Sequence, residues 1–255
     1  MYLATAEVIG RRTGELHVQL ASIQDPAFAL EPYTPADLAG TAAAMRRHAG
    51  EHLQSLTARV EALDARARDL ARAVFEQRGE LLDCLTAIER VSDGGGRIRC
   101  HGDYHLGQIL AAEGDIVILD FEGEPSRPLA ERRAKCSPLR DVAGMVRSFG
   151  YAVQTALNAA TVNRPEDVER LAPWARFWET WVTAVFLRAY LATTREAGIL
   201  PSSDEDLDVL LQAFVIDKAL YELGYELNNR PDWVHIPLTG LQPSLTAACL
   251  TGNRH

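Results

Sequence analysis

With 255 residues, 47% hydrophobic and 24% charged, the chain can bury a substantial core in one large domain or two small ones. Its net charge of −9 comes from 26 basic residues scattered among 35 acids, with no basic stripe, which argues against a nucleic-acid partner. The N-terminus has no apolar run fit for export and no segment is long enough to span a membrane. Cys84, Cys100, Cys136 and Cys249 form no Cys-x-x-Cys pair, so reduced thiols in a cytoplasmic protein are expected.

The chain opens with a predicted helix near Glu7 to Ser22, in spite of Gly10 and Gly14, and a loop from Gln24 to Tyr33 follows. Thr34-Pro35-Ala36-Asp37 is a helix start, with Thr34 as N-cap, Pro35 in the first turn and an early acid at Asp37. Beyond it Met45, Ala49, Leu53, Leu56, Val60, Leu63, Ala67, Leu70 and Val74 recur in steps of three and four, a seam of coiled-coil spacing. One long helix and an antiparallel pair both satisfy that spacing, and the seam is expected to pack on the rest of the domain. Leu81 to Val91 continues helically until Asp93-Gly94-Gly95-Gly96 stops it.

The period then changes. Arg97 to Cys100, Gln108 to Ala111 and Asp115 to Leu119 are short and β-prone, with Glu113-Gly114-Asp115 as a tight turn. Helical pattern returns from Pro138 to Asn158, Glu166 to Ala197 and Ser203 to Asn229, where Ser203 and Asp206 form a capping-box pattern and Pro231 ends the helix. Trp174, Phe177, Trp178, Trp181, Phe186 and Tyr190 share helical spacing and are expected in the core. A short helix near Leu241 to Leu250 is predicted to close the chain. The expected class is mostly α with a small β insert.

That insert carries the chemistry. It reads Cys100-His101-Gly102-Asp103-Tyr104-His105-Leu106-Gly107-Gln108, with Asp120-Phe121-Glu122-Gly123-Glu124-Pro125 following a second strand. Phosphoryl transfer needs a carboxylate to orient the acceptor hydroxyl and oxygen ligands for Mg²⁺. Protein kinases take these from His-Arg-Asp, with an Asn five residues after the Asp, and from a later Asp-Phe-Gly. Asp103 and Gln108 show the same offset, and Asp120 ends an apolar strand ahead of Phe121. Singly, Asp103 could cap a turn, Gln108 could be an exposed strand residue and Asp120 could merely end a hairpin. Their joint occurrence favours the catalytic reading.

His-Gly-Asp-x-His-x-x-Gln with the later Asp-Phe-Glu-Gly-Glu-Pro resembles the maltokinases, a branch of the aminoglycoside-phosphotransferase-like kinases. Ser137-Pro138-Leu139-Arg140-Asp141-Val142-Ala143-Gly144-Met145, and the stretch from Lys218 through Tyr221-Glu222 and Tyr225 to Pro231, look similar to that family too. The resemblance implies the C-terminal lobe of a protein-kinase-like fold across 1–255. Within it, 1–92 would be a helical segment, 97–125 the catalytic and metal-binding loops, and 128–255 a helical substrate-side subdomain. It implies transfer of the γ-phosphate of ATP to maltose, giving maltose 1-phosphate for glycogen and trehalose metabolism. Asp103 would be the catalytic base, and Gln108 and Asp120 would hold Mg²⁺. His101 and Asp141 would support the loop, and His105, Tyr221, Glu222 and Tyr225 would contact the sugar. For His105, Tyr221 and Tyr225 a packing role stays open, as does a plain helix-start acid for Asp141.

Against the family pattern, nothing before Asp103 resembles a nucleotide-covering sheet. The only lysines, Lys135 and Lys218, both follow the catalytic loop. The expectation is therefore an absent N-terminal ATP-binding lobe and weak activity without it. Truncation at Met1 is the plain explanation, ahead of a natural split protein whose partner supplies the lobe; a fused or associated trehalose synthase is the other expected partner. Two alternatives keep the fold: a kinase for an aminoglycoside, choline or amino-sugar acceptor, and a pseudokinase-like binding module without catalysis.

Overall fold

The structure is a computed structural model that describes residues 2–242. In chain order the elements are α1 (Tyr2–Ser22), β1 (Glu31–Pro32), α2 (Pro35–Arg59), α3 (Ala65–Glu76), α4 (Arg78–Ala87), β2 (Gly96–Arg97), β3 (Ile109–Ala112), β4 (Asp115–Ile118), α5 (Leu129–Arg133), α6 (Leu139–Thr161), α7 (Val168–Thr194), α8 (Asp204–Asn229) and α9 (His235–Gly240). The class is the expected one, mostly helical with a small β content. Two antiparallel pairs, β1–β2 and β3–β4, make up the sheet content of the described residues. These elements sort into two compact units, one from residues 2–32 and 95–200, the other from 33–94 and 201–242.

In the first unit α1 lies along α7. Ala6, Ile9, Thr13 and His17 form its buried face. Gly10 and Gly14, which read as helix weaknesses in sequence, sit where α7 comes closest. A Cβ on Gly10 would lie 2.2 Å from the Phe186 carbonyl oxygen, and one on Gly14 would lie 2.7 Å from Thr193 Cβ. Their missing side chains let the two backbones approach, at a helix-propensity cost of about 1 kcal/mol each. Phe186 and Tyr190 are fully buried, and Phe149 of α6 meets Phe186 edge-on at 5.5 Å. Each such side chain contributes roughly 1.5–3 kcal/mol by leaving water.

The aromatic stripe of α7 does not stay in that core. Trp174, Phe177 and Trp181 are 70%, 58% and 50% exposed. Among the described residues α1 begins opposite Trp178, which Tyr2 touches edge-on at 6.0 Å. The helical spacing therefore includes positions that no described neighbour buries.

The turn between β3 and β4 is the expected one, with Gly114 at φ 72°. Arg12 of α1 grips the Asp115 carboxylate at the start of β4 through Nε at 2.8 Å and a second nitrogen. That hydrogen bonding holds the Asp115 carboxyl down at about 2. Elsewhere in the unit Lys135 donates to the carbonyls of Pro26 (2.8 Å) and Ala29 (2.6 Å) and to Glu31 (2.7 Å), fixing the segment that leads into β1.

In the second unit the Thr34 cap forms as expected: its hydroxyl accepts from the Asp37 N–H, and Asp37 accepts from the Thr34 N–H. The long apolar seam is two helices. α2 stops at Arg59, Leu63 is extended, and Asp64 caps α3 by accepting the Ala67 N–H at 2.9 Å. A side-chain cap and an extended residue end a helix even where apolar spacing continues through them. The buried position shifts accordingly from Leu70, half-buried, to Ala71. Ser203 caps α8, accepting the Asp206 N–H at 3.0 Å, and Asp206 in turn accepts from the Ser92 hydroxyl (2.8 Å) and the Asp93 N–H (3.1 Å). The helix expected near Leu241 to Leu250 falls almost wholly outside the described residues, as does Cys249.

Candidate active site

The site belongs to the first unit and is built on a buried carboxylate. Asp141 lies in the first turn of α6, with its oxygens accepting the backbone N–H groups of His101 (2.7 Å) and Gly102 (2.9 Å). A third donor comes from α1: His17 Nε2 lies 3.2 Å from Asp141 Oδ2. Because a carboxylate accepts, Nε2 carries the hydrogen, and His17 Nδ1 accepts from the Tyr190 hydroxyl at 3.0 Å. Burial works to raise the Asp141 carboxyl, but the hydrogen bonds from His17 and the Gly102 N–H outweigh it and hold it below the ordinary carboxylate range.

His101 joins this loop to the end of the hairpin. Its Nε2 donates to the Leu119 carbonyl at 2.7 Å, and its ring packs on Phe121 (5.1 Å) and Tyr104 (5.2 Å). Tyr104 is buried with its hydroxyl 2.8 Å from Thr13 Oγ1 of α1, and burial pushes its phenol upward. The loops also touch through backbone. Gly102 (φ 85°) and Gly123 (φ 76°) occupy the left-handed region, and a Cβ on Gly102 would lie 3.3 Å from Gly123 Cα.

Asp103 is mostly buried, its side chain 17% exposed, with His105 Nε2 3.8 Å from Oδ2. His105 accepts the Gly107 N–H on Nδ1 at 3.0 Å, so its Nε2 edge carries the hydrogen facing Asp103. Leu106 N–H donates to Ser148 Oγ of α6 at 3.0 Å, a second anchor for the same loop. Gln108 O accepts from Leu119 N–H at 2.9 Å, and Gln108 Nε2 donates to Asp120 Oδ2 at 3.1 Å. Asp120 has φ 59°, a conformation that costs a non-glycine residue energy and is tolerated where function requires it.

Asp103, Gln108, Asp120, His101 and His105 are thus gathered on two loops, joined to each other by His101 and to α6 by Asp141. Among the described residues no group of three His, Cys, Asp or Glu is placed to hold a metal. A divalent ion here would have only Asp120 and Gln108 as side-chain ligands. That fits a hard cation such as Mg²⁺, which keeps waters and substrate oxygens in its shell. The Gln108 amide would have to turn its oxygen toward the ion, since its nitrogen faces Asp120.

Tyr221, Glu222 and Tyr225 lie on α8 in the second unit. Lys218 Nζ sits 4.9 Å over the Tyr221 ring, and the Arg230 guanidinium lies 5.5 Å over that of Tyr225. Each ring thus already carries a cation on one face. The supporting residues that sequence reading missed are His17, Thr13, Tyr190 and Ser148. For His17 and Thr13 a signal existed: both are polar residues on the apolar face of α1, at helical spacing with Ala6 and Ile9.

Comparison with known proteins follows the same lines. The chain is 32% identical over 245 residues to the glucosamine kinase of Streptacidiphilus jiangxiensis, covering 94% of this chain and 50% of that protein. It is 32% identical over 140 residues to the glucosamine kinase of Mycolicibacterium smegmatis, covering 54% of this chain and 32% of that one. A solved glucosamine kinase in complex with glucosamine, ADP and inorganic phosphate superposes with a TM-score of 0.75 at 28% identity, over 94% of this chain and 54% of that chain. The chain spans about half the length of the Streptacidiphilus protein and of the solved structure and about a third of the Mycolicibacterium protein, and all are glucosamine kinases, so the maltokinase resemblance holds only at the coarser level of the kinase family. The profile of the phosphotransferase enzyme family, APH, matches residues 1–178, and the chain belongs to that family.

Proposed function

We propose that the chain carries the catalytic loops of an ATP-dependent kinase whose acceptor is an amino sugar of the glucosamine class. The observation that carries the phosphotransferase part is the single scaffold formed by Asp141 and His101. It sets Asp103 on one loop and the Gln108–Asp120 pair on the next. The amino-sugar part rests on what the relatives are named for.

In this reading Asp103 accepts the acceptor hydroxyl's proton as the oxygen bonds to the γ-phosphorus. The bond from that phosphorus to the β,γ-bridging oxygen breaks, releasing ADP, and the His105 edge steadies the carboxylate. Bound Mg²⁺ would neutralise charge on the phosphates, and Asp120 and Gln108 would hold it. Little covalent work falls to the protein, so most of the rate comes from positioning. Neither lysine of the chain suits the phosphate-pairing role, because Lys135 is committed to the 26–31 segment and Lys218 to Tyr221. We read that charge as supplied from outside these residues. Tyr221, Glu222 and Tyr225 remain proposed acceptor contacts, with Glu222 suited to an ammonium group.

The test is an ATP-consumption assay with glucosamine, maltose, an aminoglycoside and choline. It uses the chain alone and the chain joined to the unmatched half of the Streptacidiphilus enzyme. Glucosamine should exceed maltose in kcat/KM by about tenfold or more, the value of one well-placed charged contact. Equal or reversed preference overturns the amino-sugar reading and restores maltose, which the Asp-Phe-Glu-Gly-Glu-Pro motif favours. Transfer to none of the four by the joined protein overturns the kinase reading itself.

A further inference from the structure

Beside the 120–123 loop lies a separate cavity of about 360 Å³, lined by Arg99, Phe121, Glu122, Leu129, Arg132 and Arg133. Three guanidiniums face one carboxylate there, in a chain whose net charge is −9. Several arginines of the protein are paired with acids, as Arg46 is with Glu89 and Arg230 with Glu226. Among the described residues Arg99, Arg132 and Arg133 have no ion-pair partner. They are nonetheless held. Arg99 lies over the Phe28 ring at 5.7 Å and donates to the Arg133 carbonyl. The stem of Arg132 packs on Gly123, where a Cβ would meet it at 3.3 Å, and its Nη1 reaches the Glu122 carbonyl at 3.4 Å. Arg132 Nε is buried with no hydrogen-bond partner, a donor whose desolvation nothing in the protein offsets.

We propose that this cavity binds a phosphate monoester, a small phosphorylated metabolite distinct from the nucleotide. Its phosphate would accept from Arg132 Nε and from the forks of Arg99 and Arg133, the planar donors that suit phosphate oxygens. Its carbon skeleton would lie on Phe121 and Leu129. Asp103, Gln108 and Asp120 are not among the lining residues, so this is not the transfer site. Phe121 follows Asp120 directly and packs on His101, so an occupant bears on the loop that positions Asp120. The site does not depend on which sugar is the acceptor.

Isothermal titration of the full chain at low salt, with glucose 6-phosphate and with inorganic phosphate as probes, tests it. Saturable binding is expected for the ester, tighter than for inorganic phosphate. R132Q and R133Q should each weaken it about tenfold, the loss of one charge-assisted contact, and D120N should leave it unchanged. R133Q is included because Arg133 is exposed, so its substitution will not disturb folding. Absence of binding by both probes, binding that survives both arginine variants, or binding lost in D120N overturns the site. Equal affinity for the two probes overturns the monoester assignment.

Discussion

His17 Nε2 and Asp141 Oδ2 lie 3.2 Å apart with both side chains essentially inaccessible to water, at 0% and 1% exposure. A helix near the start of the chain thus supplies a hydrogen bond to the carboxylate that holds the 101–103 loop, 124 positions away. Replacing His17 by Phe removes this donor and leaves a buried carboxylate with two partners. The expected loss is about 1–3 kcal/mol of stability in the first unit, read by chemical denaturation.

The same contact sets a pH dependence. The Asp141 carboxyl is depressed in the folded state. The stability it contributes is therefore present above the ordinary carboxylate range and lost as pH falls through the folded value. H17F raises that folded value, so its acid unfolding limb should move to higher pH than the parent's. Coincident limbs would remove His17 from the account.

Asp103→Asn keeps shape and hydrogen bonding but cannot take a proton. Turnover should fall by roughly a hundred- to ten-thousand-fold while sugar binding, measured by titration, holds. Asp120→Asn should instead raise the Mg²⁺ concentration for half-maximal rate. A kcat unchanged in D103N would remove that residue as base.

Two glycines make a matched pair. Gly10→Ala drives a methyl against the Phe186 carbonyl, only 2.2 Å away, and should cost about 1–3 kcal/mol. Gly40→Ala, in the exposed part of α2 with nothing within 4 Å, should stabilise by about 0.5–1 kcal/mol. Thermal unfolding of both variants reads the opposite signs.

Arg12→Gln should release Asp115. Its titration, near about 2 in the parent because of the Arg12 bond, should return to the ordinary carboxylate range when followed by carbon NMR. No movement would mean the clamp is not formed in solution.

Local signals were the legible ones. Thr34 with Asp37, Ser203 with Asp206 and Gly114 declare themselves within four residues, since caps and turns are short-range chemistry. The 101–108 and 120–125 motifs have the same local character: each proposed functional group sits at a fixed offset within its own loop. The supports were not. His17 and Arg12 act on residues more than a hundred positions on, and apolar spacing cannot say that Asp64 interrupts a seam or that Trp174 stays exposed. Periodicity reports a face, and only the neighbouring helix decides how much of it is covered.

Asp120 carries a consequence for engineering. A glycine at 120 would relieve its left-handed backbone, worth roughly 1 kcal/mol, yet it would delete the carboxylate proposed above to hold Mg²⁺. Selecting variants only for heat resistance would thus drift toward a sturdier, silent protein. Position 120 is where durability and chemistry pull in opposite directions.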